Sequence, residues 1–176
     1  MKRIDIHTHI IPEQLPDWAQ KFGYGGFVQL DHHQNCKAKM MIDNKFFREI
    51  ESNCWDPEVR IKDSDGYNID MQVISTIPVL FSYWAKPKDA YDVSRYLNDH
   101  IAEVVRKYPN RFIGLGTIPM QDPDLACLEL ERCMNDLGLN GVEIGSHIND
   151  WNLNEKALFP IYECAERNNA AMFVHP

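Results

Sequence analysis

The sequence Ile4-Asp5-Ile6-His7-Thr8-His9 has the pattern of a β-strand that carries two imidazoles on one face. Side chains alternate between the two faces of a strand, so His7 and His9 point the same way while Ile4 and Ile6 point the other way. Paired imidazoles at the end of a strand are half of a metal site, because imidazole is a preferred ligand of zinc and similar ions. The strand therefore predicts a metal-dependent protein, provided that other strands bring further ligands.

Four more apolar segments follow at a spacing typical of alternating strands and helices. We expect strands at Met71–Ile77, Phe112–Ile118, Gly141–Gly145 and Ala171–His175, with Pro176 ending the last. We expect helices from Asp56-Pro57 to Gly66, from Asp89 to Tyr108, from Asp122-Pro123 to Gly138 with Leu125, Leu128, Met134 and Leu137 inward, and between Asn154 and Asn169, where Pro160 lies in the first turn or splits the helix. This alternation indicates βαβ units and a parallel sheet.

The number of strands decides between two α/β architectures. A closed (β/α)8 barrel typically needs ~250 residues, whereas this chain has 176, so a small open sheet is the alternative. A final apolar strand without a covering helix would leave a bare edge, which favours the barrel. We therefore expect the N-terminal part, about five βα units, of a TIM-type metal-dependent barrel. Residues 1–176 would form one incomplete barrel domain, with a small β-rich insertion at about 12–52.

The composition excludes several classes of protein. With 18 Lys+Arg against 26 Asp+Glu, the formal net charge of −8 argues against nucleic acid and anionic membrane surfaces as partners. No apolar run approaches the ~20 residues of a membrane span, and charged residues interrupt any signal-like segment at the N-terminus. The five cysteines show no C-x-x-C pair and fit reduced thiols in a cytoplasmic protein.

A third candidate metal ligand stands at the end of the last strand. His175 follows Phe173 and Val174, and the ends of parallel strands converge in a barrel, so His175 can meet His7 and His9. Zinc suits such a set of imidazoles, although iron, cobalt and manganese stay open. The fourth strand contains Glu143 and no lysine that could bridge two ions, so we expect one ion and a buried carboxylate close to it.

Other residues have both a functional and a structural interpretation. Arg48 lies in the insertion and could clamp a carboxylate over the strand ends, or be an ordinary surface arginine. The aromatic residues after the second strand could wall an apolar pocket or pack their own loop: Phe81, Tyr83 and Trp84. Of the remaining histidines, we expect His32 and His33 at the surface without partners, His100 in a structural role, and His147 behind the metal ligands at most.

Longer motifs give the chain a family resemblance. They are Ile4–Pro12, Phe22–Gly26, Asn53–Arg60, Phe81–Pro87, Arg111–Met120 and Phe173–Pro176. Over essentially the whole chain these segments resemble the 2-amino-3-carboxymuconate-6-semialdehyde decarboxylases, a family of the amidohydrolase superfamily. The resemblance implies a zinc-dependent, non-oxidative decarboxylation that yields 2-aminomuconate semialdehyde in the kynurenine pathway of tryptophan breakdown and limits quinolinate formation.

The resemblance also assigns roles to residues. It implies that His7, His9 and His175 bind one zinc ion and that Arg48 binds a carboxylate of the small-molecule semialdehyde substrate; a homodimer is compatible with it. The family's general-base histidine and a further aspartate ligand are expected beyond residue 176, so the catalytic base stays unassigned and we expect the chain to be inactive alone. Met40-Met41-Ile42 stands where a lysine is expected, which leaves one substrate contact open.

Two alternatives to the decarboxylase stay open. One is a barrel hydrolase of an amide or lactone, which a second metal ion or a carboxylated lysine in the parent protein would favour. The other is a non-catalytic fragment that associates with full-length subunits, for which we expect poor solubility and a broad thermal transition.

Overall fold

The computed structural model describes residues 2–175, so the expected strand stop at Pro176 lies outside the described residues. The strands are β1 (Ile4–His9), β2 (Val28–Gln34), β3 (Lys37–Ile42), β4 (Lys45–Glu51), β5 (Met71–Ser75), β6 (Phe112–Gly114), β7 (Gly141–Gly145), β8 (His147–Ile148), β9 (Trp151–Asn152) and β10 (Ala171–His175). The α-helices are α1 (Trp18–Phe22), α2 (Pro57–Gly66), α3 (Pro87–Lys107), α4 (Pro123–Asn135) and α5 (Phe159–Arg167).

Five strands run parallel and form the frame of the molecule. β5 pairs with β1 on one side and β6 on the other, and β7 pairs with β10. A bridge between Gly116 and Val142 joins the two groups in the order β1-β5-β6-β7-β10. Helices lie between successive strands, as in a (β/α)8 barrel. The predicted α/β, partial-barrel fold class is confirmed, and all five strands end at the same edge.

Two predicted strands are shorter than expected. β5 ends at Ser75 instead of Ile77, because Pro78 begins a 3-10 turn just beyond it and has no N–H for the sheet. β6 ends at Gly114 instead of Ile118. Beyond it the chain makes an isolated bridge from Gly116 to Val142 of β7, and at Thr117 its N–H donates to the buried Asn98 side chain of α3 at 2.7 Å. The bounds of β1, β7 and β10 are as predicted.

Two of the helices begin where their capping residues predict. The Asp56 side chain accepts hydrogen bonds from the first N–H groups of α2, and Asp122 caps α4 in the same way. α3 begins two residues before the predicted Asp89, at Pro87, since a proline fits the first turn of a helix. The last helical region is a 3-10 turn followed by α5, with a proline in the first turn of α5.

One predicted helix face is wrong in part. Leu128 of α4 was expected to point inward, but it is 52% exposed. The fully buried positions of this helix are Ala126, Glu129, Leu130 and Cys133. The inward face of α4 therefore includes the charged residue Glu129. A prediction based on the spacing of apolar residues does not identify such a position.

The insertion after β1 forms a three-stranded antiparallel sheet in the order β2-β3-β4, preceded by α1. Its inner side belongs to a core cluster that contains Trp18, Phe27 and Met40. β4 is the outer strand, and Ile50 is its one buried residue. The insertion thus packs as a flap next to the end of β1.

The two outer strands of the parallel sheet have free edges. Among the described residues, β1 pairs only with β5 and β10 only with β7. Ile6 on β1 is largely exposed, and Ile4 on β1 and Val174 on β10 are about half exposed. No helix within residues 2–175 has the length and apolarity to cross a membrane.

Candidate metal centre

Four side chains converge where the parallel strands end. His7 and His9 come from β1, Glu143 from β7 and His175 from β10. One potential ligand atom from each lies within 4.8 Å of all the others. The ring centroid of His7 is 5.1 Å from that of His9 and 4.8 Å from that of His175. The three histidines singled out in the sequence therefore lie in one cluster, together with a carboxylate.

The curvature of the sheet produces this convergence. β1 and β10 are the first and last strands of the five-strand order, yet the His7 ring lies 5.1 Å from Phe173 as well as close to His175. Twist and tilt of parallel strands bend a sheet toward closure, which brings its outer strands to face each other. Residues that are 166 positions apart in sequence thereby share one site.

His9 is held in the form that a metal needs. Its Nδ1 atom lies 3.0 Å from the Thr76 carbonyl oxygen, so Nδ1–H donates and Nε2 keeps its lone pair for a ligand. Burial lowers the pKa of His9 to about 4, and the neighbouring His7 and His175 act in the same direction. At neutral pH His9 is uncharged, and neutral imidazole is the metal-binding state.

Glu143 is a buried carboxylate at the centre of this cluster. Its side chain is 1% exposed, and within the described residues neither oxygen has a hydrogen-bond partner of normal geometry. One oxygen lies 3.7 Å from His9 Nδ1 and the other 4.0 Å from His7 Nε2. Burial raises the pKa of Glu143, while the Ser75 hydroxyl and His175 act in the opposite direction. The predicted burial is confirmed, and this charge requires a proton or a cation beside it.

A cleft of about 590 Å³ opens in front of the cluster. Its lining combines the three histidines with mostly apolar residues: Ile11, Met40, Phe47, Ile50, Ile77, Pro78 and Val79. Arg48 of β4 also lines the cleft and adds a positive charge to it. The cleft thus pairs an imidazole cluster at one place with a guanidinium on the flap, enclosed by apolar surface.

Met40 occupies the position near which a lysine was expected. It is buried on β3, directly opposite Arg48 in the β3–β4 register, and it lines the same cleft. The register places an apolar thioether, with no charge, beside the arginine. Arg48 is accordingly the cationic residue of β3 and β4 that contacts the cleft in the described part of the chain.

The aromatic residues after β5 line a neighbouring cavity of about 420 Å³. Phe81 and Tyr83 are buried there, whereas Trp84 is half exposed. The Tyr83 hydroxyl accepts a hydrogen bond from the Gly145 N–H at 3.1 Å, which fixes the end of β7 next to His175. These residues therefore pack their loop and also wall a cavity, which shares Pro78, Val79 and His175 with the main cleft.

The other histidines lie outside the cluster. His147 is exposed and lines only the neighbouring cavity. His32 and His33 are at the surface as predicted, but the expectation that they lack partners is wrong, because His32 contacts the Glu13 carbonyl and His33 pairs with Glu49. His100 is partly buried on α3, and burial lowers its pKa.

Comparison with known proteins gives a consistent result. The amidohydrolase family model matches residues 4–176. The 2-amino-3-carboxymuconate-6-semialdehyde decarboxylase of Dictyostelium discoideum is 58% identical over 174 residues, which is 99% of this chain and 48% of that protein. The protein of the same name from Caenorhabditis elegans is 38% identical over 185 residues, covering 94% and 46%. The chain spans about half the length of the curated relatives that it matches.

A solved structure shows the same fold. The dihydroxybenzoic acid decarboxylase of Polaromonas, which contains bound manganese and an inhibitor, superposes with a TM-score of 0.73 at 24% identity. The match covers 99% of this chain and 49% of that one. The family match, the two close relatives and the shared fold agree, so the chain belongs to the amidohydrolase family and resembles its 2-amino-3-carboxymuconate-6-semialdehyde decarboxylases over nearly its whole length.

Proposed function

We propose that this chain forms the metal-binding and carboxylate-binding part of a decarboxylase acting on 2-amino-3-carboxymuconate 6-semialdehyde. The product would be 2-aminomuconate semialdehyde and CO₂, as a step of the kynurenine pathway of tryptophan breakdown in the cytosol. The names of the two close relatives support the substrate. The observation that carries the proposal is the cluster of three imidazoles around Glu143, a buried carboxylate that accepts no hydrogen bond of normal geometry among the described residues.

The donor set fits a single divalent cation. Imidazole nitrogens and one carboxylate suit zinc, iron, cobalt or manganese, and the related Polaromonas structure contains manganese. We propose one zinc ion held by His7, His9 and His175, with the negative charge of Glu143 close by. When bound, such an ion supplies Lewis-acid chemistry at this end of the sheet.

The residues of the cleft would bind and orient the substrate. Arg48 can form a bidentate ion pair with a substrate carboxylate, because the planar guanidinium presents two parallel donors. The surrounding apolar side chains, such as Phe47 and Ile77, exclude water, and an ion pair gains strength where water is excluded. In the reaction the C–C bond to one carboxylate breaks, CO₂ leaves, and the carbon receives a proton.

We propose that the proton transfer uses a histidine that this chain does not contain. The curated relatives are about twice as long as the matched region, which leaves room for further catalytic groups in them. On this view the chain binds metal and carboxylate but does not turn the substrate over. A soluble homodimer of the whole protein is compatible with this proposal.

The proposal is tested by measuring metal content and substrate decay on the same sample. We expect one zinc ion per chain by elemental analysis and no loss of substrate absorbance beyond the uncatalysed rate. Arg48→Met should leave the metal content unchanged and weaken the binding of a dicarboxylate analogue of the substrate. Two ions per chain would favour the hydrolase alternative, and rapid decarboxylation by the isolated chain would refute the proposal that it does not turn the substrate over.

A further inference from the structure

Arg60 of α2 reaches from the outside of the sheet to the end of β1. Its Nη2 atom donates to the carbonyl oxygen of His9, and its Nη1 atom lies 3.4 Å from Gln72 Oε1 on β5. Its Nε atom is buried without a hydrogen-bond partner, and in residues 2–175 no carboxylate lies within 4.0 Å of the guanidinium. The arginine therefore donates its hydrogen bonds to the main-chain carbonyl of His9 and to the Gln72 side chain of the neighbouring strand β5.

The main chain around His9 is held from several elements. The Ile10 N–H donates to Ser75 at 2.8 Å, and the Ile11 N–H donates to Cys54 at 3.0 Å. The His9 ring donates to the Thr76 carbonyl on the β5 side. The His9 carbonyl receives its hydrogen bond from Arg60, so this side chain completes the set of contacts that fixes the residue.

Arg60 does not line the cleft and acts through His9. A fork of donors that contacts β1 and β5 together sets the distance and rotation of one strand end relative to the other. A metal site needs its ligand nitrogens placed within tenths of an ångström, and partners behind the ligands supply that precision. A shift of the His9 carbonyl would rotate the ring away from His7 and His175.

We propose that Arg60 is a positioning residue of the metal centre: it fixes the main chain of His9 so that the His9 ring presents Nε2 to the cluster. This inference rests on the proposed function, in which the cluster binds a divalent ion. It adds a residue from α2 to a site whose other members all come from the strands.

Arg111 offers a matched control in the same chain. It also donates to main-chain carbonyls, from Nε to Asp70 at 3.1 Å and from Nη2 to Ile69 at 3.4 Å, and it pairs with Asp65. It lies just before β6, at the opposite end of the parallel sheet from the metal centre. Its loss should destabilise the fold without disturbing the histidines.

The experiment compares the wild type with Arg60→Met, Arg60→Lys and Arg111→Met. Zinc affinity is measured by competition with a chromophoric chelator, the cobalt-loaded proteins are compared by visible absorption, and the metal-free proteins by thermal unfolding. We expect Arg60→Met to weaken zinc binding about 10-fold to 100-fold and to alter the cobalt spectrum. Arg60→Lys should recover part of the affinity, and Arg111→Met should lower the melting temperature with wild-type affinity and spectrum.

Each outcome decides between the two proposals. Wild-type affinity and an unchanged cobalt spectrum in Arg60→Met would overturn the role of Arg60 and leave the metal centre intact. The same loss of affinity in Arg111→Met would show that any destabilisation weakens the site, which also overturns it. Failure of the wild type to bind zinc or cobalt would overturn the proposed function itself. If Arg60→Met does not fold, Arg60→Lys carries the test, with a smaller loss of affinity expected.

Discussion

Glu129 and Glu143 are buried to the same degree, with 0% and 1% of their surface exposed, but their surroundings are opposite. Both oxygens of Glu129 accept hydrogen bonds from Arg132, at 2.7 and 2.9 Å, and one of them also accepts from Asn98 at 2.7 Å. Neither oxygen of Glu143 has a hydrogen bond of normal geometry among the described residues. Burial alone therefore does not distinguish the roles of the two glutamates, whereas their hydrogen-bond partners do.

The Glu129 network has a structural role. Asn98 connects it to the Thr117 main chain with bonds of 2.7 and 2.8 Å, so α3, α4 and the segment after β6 are tied together. Such a network is stable only when every member is satisfied. The Glu143 cluster instead places three imidazoles beside a buried carboxylate that accepts no hydrogen bond of normal geometry among the described residues, and such a charge requires a proton or a cation beside it.

The largest effect is expected from Arg132→Met, which leaves the Glu129 charge buried and unpaired. Removal of one partner of a buried ion pair costs about 3–5 kcal/mol, so we expect a loss of that size in the free energy of unfolding, measured with urea. Asp99→Asn is the control, since Asp99 is more than half exposed and its bond to Arg132 of 2.6 Å contributes at most about 1 kcal/mol. Equal losses in the two variants would contradict the structural role of the network.

The next effect is expected from adding a zinc ion to the Glu143 cluster. Zinc at 100 times its dissociation constant should raise the free energy of unfolding by about 2.7 kcal/mol. His175→Ala should abolish this gain, because it removes one of three ligands. His147→Ala, at an exposed histidine that lines only the neighbouring cavity, should keep it. A zinc effect that survives in His175→Ala would place the ion elsewhere.

A third test replaces each of the two glutamates, one at a time, with neutral glutamine in the metal-free protein. Glu143→Gln removes an unsatisfied buried charge and should stabilise the fold by about 1–3 kcal/mol at pH 7. Glu129→Gln removes an acceptor from a satisfied network and should destabilise it. If the free energy of unfolding changed in the same direction in both variants, the proposed difference between the two carboxylates would be wrong.

The last test concerns the pH dependence of metal-free stability. The pKa of His9 falls from 6.5 unfolded to about 4 in the folded chain, so the unfolded state binds more protons between these values. Stability should therefore decline as the pH is lowered from about 6.5 to about 4. His9→Gln should flatten this part of the curve, as seen in urea midpoints at several pH values. An unchanged slope would show that His9 is not held neutral by burial.

The local features of the chain were readable from the sequence. β1, β7 and β10 have their predicted bounds, and the caps of α2 and α4 are Asp56 and Asp122 as expected. These features depend on alternation, proline and capping chemistry within a few residues. The end of β6 was not readable, because the segment after it contacts residues distant in sequence: Gly116 bridges to Val142, and the Thr117 N–H donates to Asn98, 19 positions away.

The candidate site was predictable in its histidines and only partly in its surroundings. His7 and His9 are recognisable as a pair from the period of a strand, and His175 from its place after an apolar segment. Arg60 carried no signal, since it lies in an ordinary helical pattern and its partner is a backbone carbonyl. Glu143 was expected to be buried near the site, but only the structure shows that its oxygens accept no hydrogen bond of normal geometry within residues 2–175.

The sequence alone therefore establishes the family, the order of strands and helices, and the imidazole-bearing strand, because these are encoded in local residue patterns and motifs. The tertiary structure establishes which carboxylate is satisfied, that the first and last strands face each other, and that an arginine of α2 fixes the main chain of His9. Those relations follow from the curvature of the sheet and from contacts between residues distant in sequence, which no local pattern contains.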